Sequence, residues 1–246
     1  KLEKKLNKSL NKKLLIAKPG IDTETREFFN TEEEILKRFI QLIKKYDPDI
    51  ICSYNGFAFD HPYLDTRLLK YNLAANIGRD NRTWEIRNFG GKNEVIVTGR
   101  CMIDVMHLIQ RNFQLINYSL NTSAKELIGE EKRDVPASKM REIWINGTND
   151  ELNNFYEYAE VDADLTLKLL IDTSLLSKYI ALSQVSGALL HSVINGGQGQ
   201  LIEPLLMTEF YKDHRLFPNR PSEKDVDERK KLGGYEGAFV GDPVIG

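Results

Sequence analysis

Residues Ile50 to Leu64 read IICSYNGFAFDHPYL. A short apolar run ends at Ser53 and Tyr54, and a polar turn then presents Asn55, Phe59 and Asp60 in the spacing Asn-x-x-x-Phe-Asp. Ile50, Ile51, Cys52 and Tyr54 are β-branched, small or aromatic, which predicts a buried strand, and Pro48 keeps a preceding helix from running into it. Pro62 suits the first turn of a following helix, with Asp60 near its N-cap. A carboxylate set where a strand gives way to a helix is well placed for chemistry in an α/β fold. The same carboxylate serves equally well as a helix cap, and from this stretch alone both roles stay open.

On either side of this stretch, α and β patterns alternate. Upstream, Leu14 to Ala17 is a short candidate strand and Pro19-Gly20 breaks the chain. Thr31-Glu32-Glu33-Glu34 is a capping box opening a helix to about Tyr46, with Ile35, Phe39, Leu42 and Ile43 as its apolar stripe. Downstream, Pro62 to Tyr71 predicts a helix and Asn76 to Lys92 an exposed loop or irregular hairpin. Glu94 to Thr98 and Cys101 to Val105 read as strands, the latter with Asp104 as its one charge. Helical periodicity then runs through Val105 to Phe113, Ser119 to Ile128, Ser138 to Ile145 and about Asp150 to Leu176, with breaks at Gly129, Pro136 and Gly147. Leu175 to Asn195 and Gln198 to Lys212 continue as helices split by Asn195-Gly196-Gly197. No Gly-Lys-Ser/Thr follows that glycine pair, so it reads as a hinge or C-cap. The alternation predicts a layered α/β core.

With 246 residues, 41% hydrophobic and 28% charged, the chain can bury one sizeable core, or one core plus an appendage. Cys52 and Cys101 both lie in apolar runs, which argues against a disulfide framework or zinc site and favours a reducing, cytoplasmic setting. No run approaches about 18 uninterrupted apolar residues and no signal-peptide pattern opens the chain, so no membrane partner is expected. A net charge of -2 gives no global pull toward nucleic acid, yet leaves room for a local basic groove. Lys1, Lys4, Lys5, Lys8, Lys12, Lys13 and Lys18 against a single Glu3 make a lysine-rich lead-in, either solvated or phosphate-binding. His61, His107, His191 and His214 share no metal-ligand spacing and read as structural or surface residues.

The long helix carries a second candidate, Tyr158-Ala159-Glu160-Val161-Asp162. Positions i and i+4 share a face, so Tyr158 and Asp162 project together beside Phe155, Leu165 and Leu169. A carboxylate on an apolar face needs a metal ion or a hydrogen-bond donor. Tyr158 reads either as a site residue or as a core tyrosine with its hydroxyl at the edge. Glu157, Glu160 and Asp164 fall on other faces and read as solvated charge.

Taken together, the Asn55-x-x-x-Phe59-Asp60 turn and the Tyr158-x-x-x-Asp162 helix resemble the second and third exonuclease motifs of family B DNA polymerases. The first motif is expected about 0.05 times by chance in this composition, the second about 0.7 times, so the turn carries most of the specificity. The likeness to archaeal-type members continues in order through the Thr31 helix with Asp47-Pro48-Asp49, and the strand from Gly99-Arg100 to Asp104. It extends to Lys132 to Val135, Phe217 to Pro221 and Gly233 to Ala238, covering nearly all of the chain from Glu27 onward. Tyr235-Glu236-Gly237-Ala238 resembles the family's linker between exonuclease and polymerase domains, which contacts the template strand.

The resemblance implies an α/β, ribonuclease H-like 3′-5′ exonuclease domain, incomplete at its N-terminal strands, followed by helices leading to the polymerase palm. It divides the chain into a lead-in and loop at 1–26, the exonuclease domain at 27–176, and a helical connection with the start of the polymerase domain at 177–246. The implied function is proofreading, the removal of mispaired 3′-terminal nucleotides, with Mg²⁺ or Mn²⁺ as a pair of ions in an intact site. Asp162 would ligate the ion that activates water, Asp60 would support the second, and Tyr158 would orient the water or the scissile phosphate. Asn55 and Phe59 would hold the frayed single strand, while Tyr235 and Gly237 would meet the template. Expected partners are DNA, as a single-stranded 3′ end and a primer-template, the rest of the polymerase, and a sliding clamp. The implied setting is cytoplasmic and nucleoid-associated, of archaeal or viral type.

The family's first motif, an Asp-x-Glu on the opening strand, has no convincing match. Asp22-Thr23-Glu24 has the right letters, but about one Asp-x-Glu is expected by chance, Pro19-Gly20 precedes it, and it stands only 33 residues before Asn55. The resemblance places residues 22–29 in the loop before the capped helix and the first motif outside this sequence. The polypeptide alone is therefore expected to cleave DNA poorly or not at all. A non-catalytic DNA-binding or scaffold subunit of a split or degenerate polymerase is the alternative.

Overall fold

The computed structural model describes residues 13–131, 137–197, 199–219 and 221–232. In chain order the elements are β1 (Leu14–Ile16), β2 (Arg26–Phe28), α1 (Glu32–Tyr46), β3 (Ile50–Ser53), α2 (Asp60–Lys70), β4 (Glu85–Phe89), β5 (Lys92–Ile96) and β6 (Cys101–Asp104). Helices follow: α3 (Val105–Asn112), α4 (Leu120–Ile128), α5 (Ala137–Asn146), α6 (Asn149–Asp172), α7 (Leu175–Ser186), α8 (Leu190–Asn195), α9 (Gly199–Lys212) and α10 (Glu223–Lys231). This is the mixed α/β class that the alternation predicts.

Among the described residues the strands form three pairs: β1 with β2 and β3 with β6, both parallel, and β4 with β5, antiparallel. The β3–β6 register sets Ile50 opposite Cys101 and Ser53 opposite Asp104. Gly90 and Gly91 close the β4–β5 hairpin with φ of 57° and 83°, a conformation that glycine adopts without strain. Of residues 76–92, expected to be a loop or irregular hairpin, 76–84 are loop and 85–92 enter a regular hairpin, and β5 begins at Lys92 rather than Glu94.

The described residues divide between 204 and 205 into two compact units. In the first, one core cluster joins β6, α3 and α6 to α7 and α8 through Ile103, Leu108, Ile109, Leu169, Leu175 and Ile194. A second cluster gathers Leu36, Phe57, Leu68, Ile77, Val95 and Met102, and a third Ile16, Leu152 and Tyr156. Thr31 forms the predicted capping box with Glu34. The stripe of α1 is Leu36, Phe39, Ile40 and Ile43, however, not the set beginning at Ile35. The long helix ends at Asp172, and Ser174 (φ 58°) breaks it before α7. In the second unit Phe210 packs edge-on to Phe217, with ring centroids 5.2 Å apart, and Ser222 caps α10.

Two ion-pair clamps hold the β1–β2 pair. Arg38 donates to both carboxylate oxygens of Glu27 at 2.6 and 2.9 Å, and Lys13 lies 3.2 Å away. Arg26 donates to Glu160 at 2.7 Å, which ties β2 to α6. Glu160 is therefore a tether and not solvated charge. No helix of the described residues is long and apolar enough to cross a membrane. The lysines at 1–12, Lys132 to Val135, Arg220 and the Gly233 to Ala238 motif with Tyr235 and Gly237 lie outside the described residues.

Candidate functional site

Strand β3 ends at Ser53, and the chain turns at once. Asn55 takes a left-handed conformation (φ 58°), one that Asn tolerates better than most residues. Gly56 is required by close approach: a Cβ there would lie 2.2 Å from Ser53 Oγ and 2.5 Å from Ser53 Cβ. The turn is fastened from three sides. The Asp104 carboxylate accepts from Asn55 N at 3.0 Å and from Phe57 N at 3.1 Å. Asn93 Nδ2 donates to Phe57 O at 3.1 Å. The buried His61 ring bonds through Nδ1 to Gly56 O at 2.8 Å and stands edge-on to Phe57 and Trp84. His61 is structural, as expected.

Asp60 is the first residue of α2, while Phe59 occupies the N-cap position and no side chain caps the helix. The Asp60 carboxylate is exposed and has no hydrogen-bonding partner among the described residues. The capping alternative is thereby removed, leaving an uncommitted carboxylate at a strand-to-helix junction. Beside it, Phe59 and Tyr63 are 68% and 56% exposed, with rings parallel to within 3° and centroids 6.4 Å apart. Two exposed, parallel aromatic rings offer faces suited to flat, unstacked rings such as nucleobases.

On α6, Tyr158 and Asp162 sit one turn apart, both half-buried. The Tyr158 ring is parallel to Phe155 at 6.5 Å, as the shared face predicts. The core tyrosine of this helix is Tyr156, packed with Ile16 and Leu152. Helix α6 packs against β3, the strand that feeds the turn. The structure thus brings Asn55, Phe59 and Asp60 together on one turn, Tyr158 and Asp162 on one helix face, and the two supporting elements into contact. Asp22 accepts from Phe28 N at 2.8 Å, and Thr23 Oγ1 from Arg26 N at 3.0 Å, so Asp22-Thr23-Glu24 makes an exposed turn leading into β2. Among the described residues, no three His, Cys, Asp or Glu side chains group in a way that could hold a metal ion.

Phe57 and Asp104 also line a cavity of about 150 Å³ with His107, Arg111 and Asn195, and the five sequence-predicted residues described above do not border it. Two residues of the site escaped sequence reasoning. Tyr63 had a local signal, since it lies four residues after Phe59 on a helix. Asp104 stood out only as the single charge of an apolar strand.

Residues 3–122 match the model of the DNA polymerase family B exonuclease domain. The chain is 32% identical over 227 residues to the DNA polymerase of Thermococcus kodakarensis, covering 92% of this chain and 13% of that protein. It is 31% identical over 226 residues to the DNA polymerase of Pyrococcus glycovorans, covering 92% of this chain and 28% of that one. Among solved structures, the family B DNA polymerase from the hyperthermophilic archaeon Pyrobaculum calidifontis superposes with a TM-score of 0.61 at 26% identity, over 76% of this chain and 24% of that one. The chain spans less than a third of the length of these relatives.

Proposed function

We propose, from the premise that this chain belongs to DNA polymerase family B, that it supplies part of a proofreading 3′-5′ exonuclease which receives the frayed 3′ end of a DNA strand. The observation that carries this is the Asn55 to Tyr63 segment, where a fastened turn presents Phe59, Tyr63 and the uncommitted Asp60 to solvent. In this reading unstacked bases lie on the Phe59 and Tyr63 rings, the Asn55 amide hydrogen-bonds the strand, and Asp60 faces the terminal phosphodiester. Tyr158 orients the attacking water or the phosphate, and Asp162 supplies the second carboxylate. Tyr235 and Gly237 touch the template strand. The rest of the polymerase and a sliding clamp are the further partners, and the setting is cytoplasmic.

Exonuclease domains of this family are metal-dependent nucleases, and a pair of Mg²⁺ or Mn²⁺ ions would supply water activation and leaving-oxygen stabilisation. Asp60 and Asp162 are the two residues that would ligate them. Two ions about 4 Å apart need bridging carboxylates, and the described residues offer no group of three ligands. The donor set does not fit a two-ion site by itself, so the chain alone is expected to bind 3′ ends and cleave them little. This same ligand shortage favours the second reading, a non-catalytic DNA-binding subunit.

The test is anisotropy of a labelled single-stranded oligonucleotide on the whole chain, followed by incubation with Mg²⁺. Phe59→Ala should weaken binding by about five- to hundredfold, the equivalent of one lost base stack. Efficient 3′-to-5′ digestion that disappears in Asp60→Ala would overturn the expectation of little cleavage. Calorimetric Mn²⁺ binding suppressed by Asp162→Ala would count against the non-catalytic reading.

A further inference from the structure

We infer that Asp104 is the positioning residue of the 3′-end-binding turn, a role that rests on the proposed function above. Asp104 ends β6, directly opposite Ser53 at the end of β3, and is 1% exposed. Three backbone N–H groups satisfy its carboxylate: Asn55 at 3.0 Å and Met106 at 3.1 Å on Oδ1, and Phe57 at 3.1 Å on Oδ2. A buried carboxylate held by backbone amides instead of a cation is an expensive arrangement unless every bond is made.

The Met106 bond caps α3, and a serine would do the same. The other two bonds cap nothing on β6 or α3. They reach 49 and 47 residues back to Asn55 and Phe57, on either side of Gly56. Asn55 is held there at φ 58°, a strained value that a freed turn would leave. From these residues the geometry passes onward, because Asn55 O accepts from Phe59 N at 3.2 Å and Gly56 O from His61 N at 2.9 Å. Phe59 and Asp60 are therefore aimed by a carboxylate that touches neither DNA nor the reacting atoms.

The test compares Asp104→Ser, which keeps a capping oxygen for Met106 but is too short to span to the turn, with the near-isosteric Asp104→Asn. For each whole chain, three quantities are measured: affinity for a single-stranded oligonucleotide with a free 3′ end, affinity for a circle of the same sequence, and amide exchange at Asn55, Phe57 and Met106. The expected result is a loss of about ten- to hundredfold in preference for the end over the circle. Circle affinity should persist, with faster exchange at Asn55 and Phe57 while Met106 stays protected in Asp104→Ser. Retained end preference in variants whose Asn55 and Phe57 amides are released overturns the positioning role alone. An equal loss of affinity for end and circle, with a collapsed melting temperature, also overturns it, because that is a purely structural effect. A wild-type chain that does not distinguish end from circle overturns the 3′-end reading and the role with it, whereas amide exchange still reports whether Asp104 fastens the turn.

Discussion

Gly56 shows how much of the site depends on a single missing atom. The Ser53 side chain fills the space that a Cβ would need, and Ser53 Oγ is buried without a hydrogen-bond partner. Gly56→Ala should therefore destabilise the chain by about 1–3 kcal/mol, read as a lower urea midpoint at unchanged m value, with weaker oligonucleotide binding alongside. Asn55, Phe59 and Asp60 were legible in the sequence because one short segment holds all three, and a six-letter spacing rarely arises by chance. Gly56 and Asp104 were not, because what constrains each is visible only after β3 and β6 have paired. The cysteines were legible in kind: burial pushes both thiols up to about 11, so they remain protonated, packed side chains.

At the level of elements, the β2–α1 contact has a pH signature. The Arg38 guanidinium, with Lys13 nearby, holds the Glu27 carboxyl down at about 2 from an ordinary value of 4.5. A depressed carboxylate stabilises the folded state fully above its unfolded pKa, and that stabilisation is lost as pH falls through the folded value. Glu27→Gln should thus lower stability by about 1–3 kcal/mol at neutral pH, and the gap to wild type should close between about pH 4.5 and pH 2 in urea melts taken across that range. The capping box of α1 was readable because its partners are three residues apart. The buried stripe was not, because Ile35, Leu36, Phe39, Ile40, Leu42 and Ile43 cover more of the helix than one face, and only packing selects Leu36 and Ile40. Glu160 was misread for a related reason: its partner Arg26 lies 134 residues away.

For the whole chain, all three hydrophobic clusters fall within residues 1–204, while α9 and α10 contain no buried residues among those described. A chain ending at Pro204 should unfold in one cooperative transition with a melting temperature within about 4 °C of the full chain, measured by circular dichroism. Alternating patterns made the α/β class legible, but strand partners were not, since parallel pairing joins segments that carry no local mark of each other. The Asp104 link has a further consequence, in time. Its bonds to Asn55 and Phe57 span 49 and 47 residues, so the turn cannot lock while the chain is still collapsing locally. On the proposed reading, the hold on a 3′ end forms no earlier than the β3–β6 pairing, and a chain caught before that step has helices but no fastened turn.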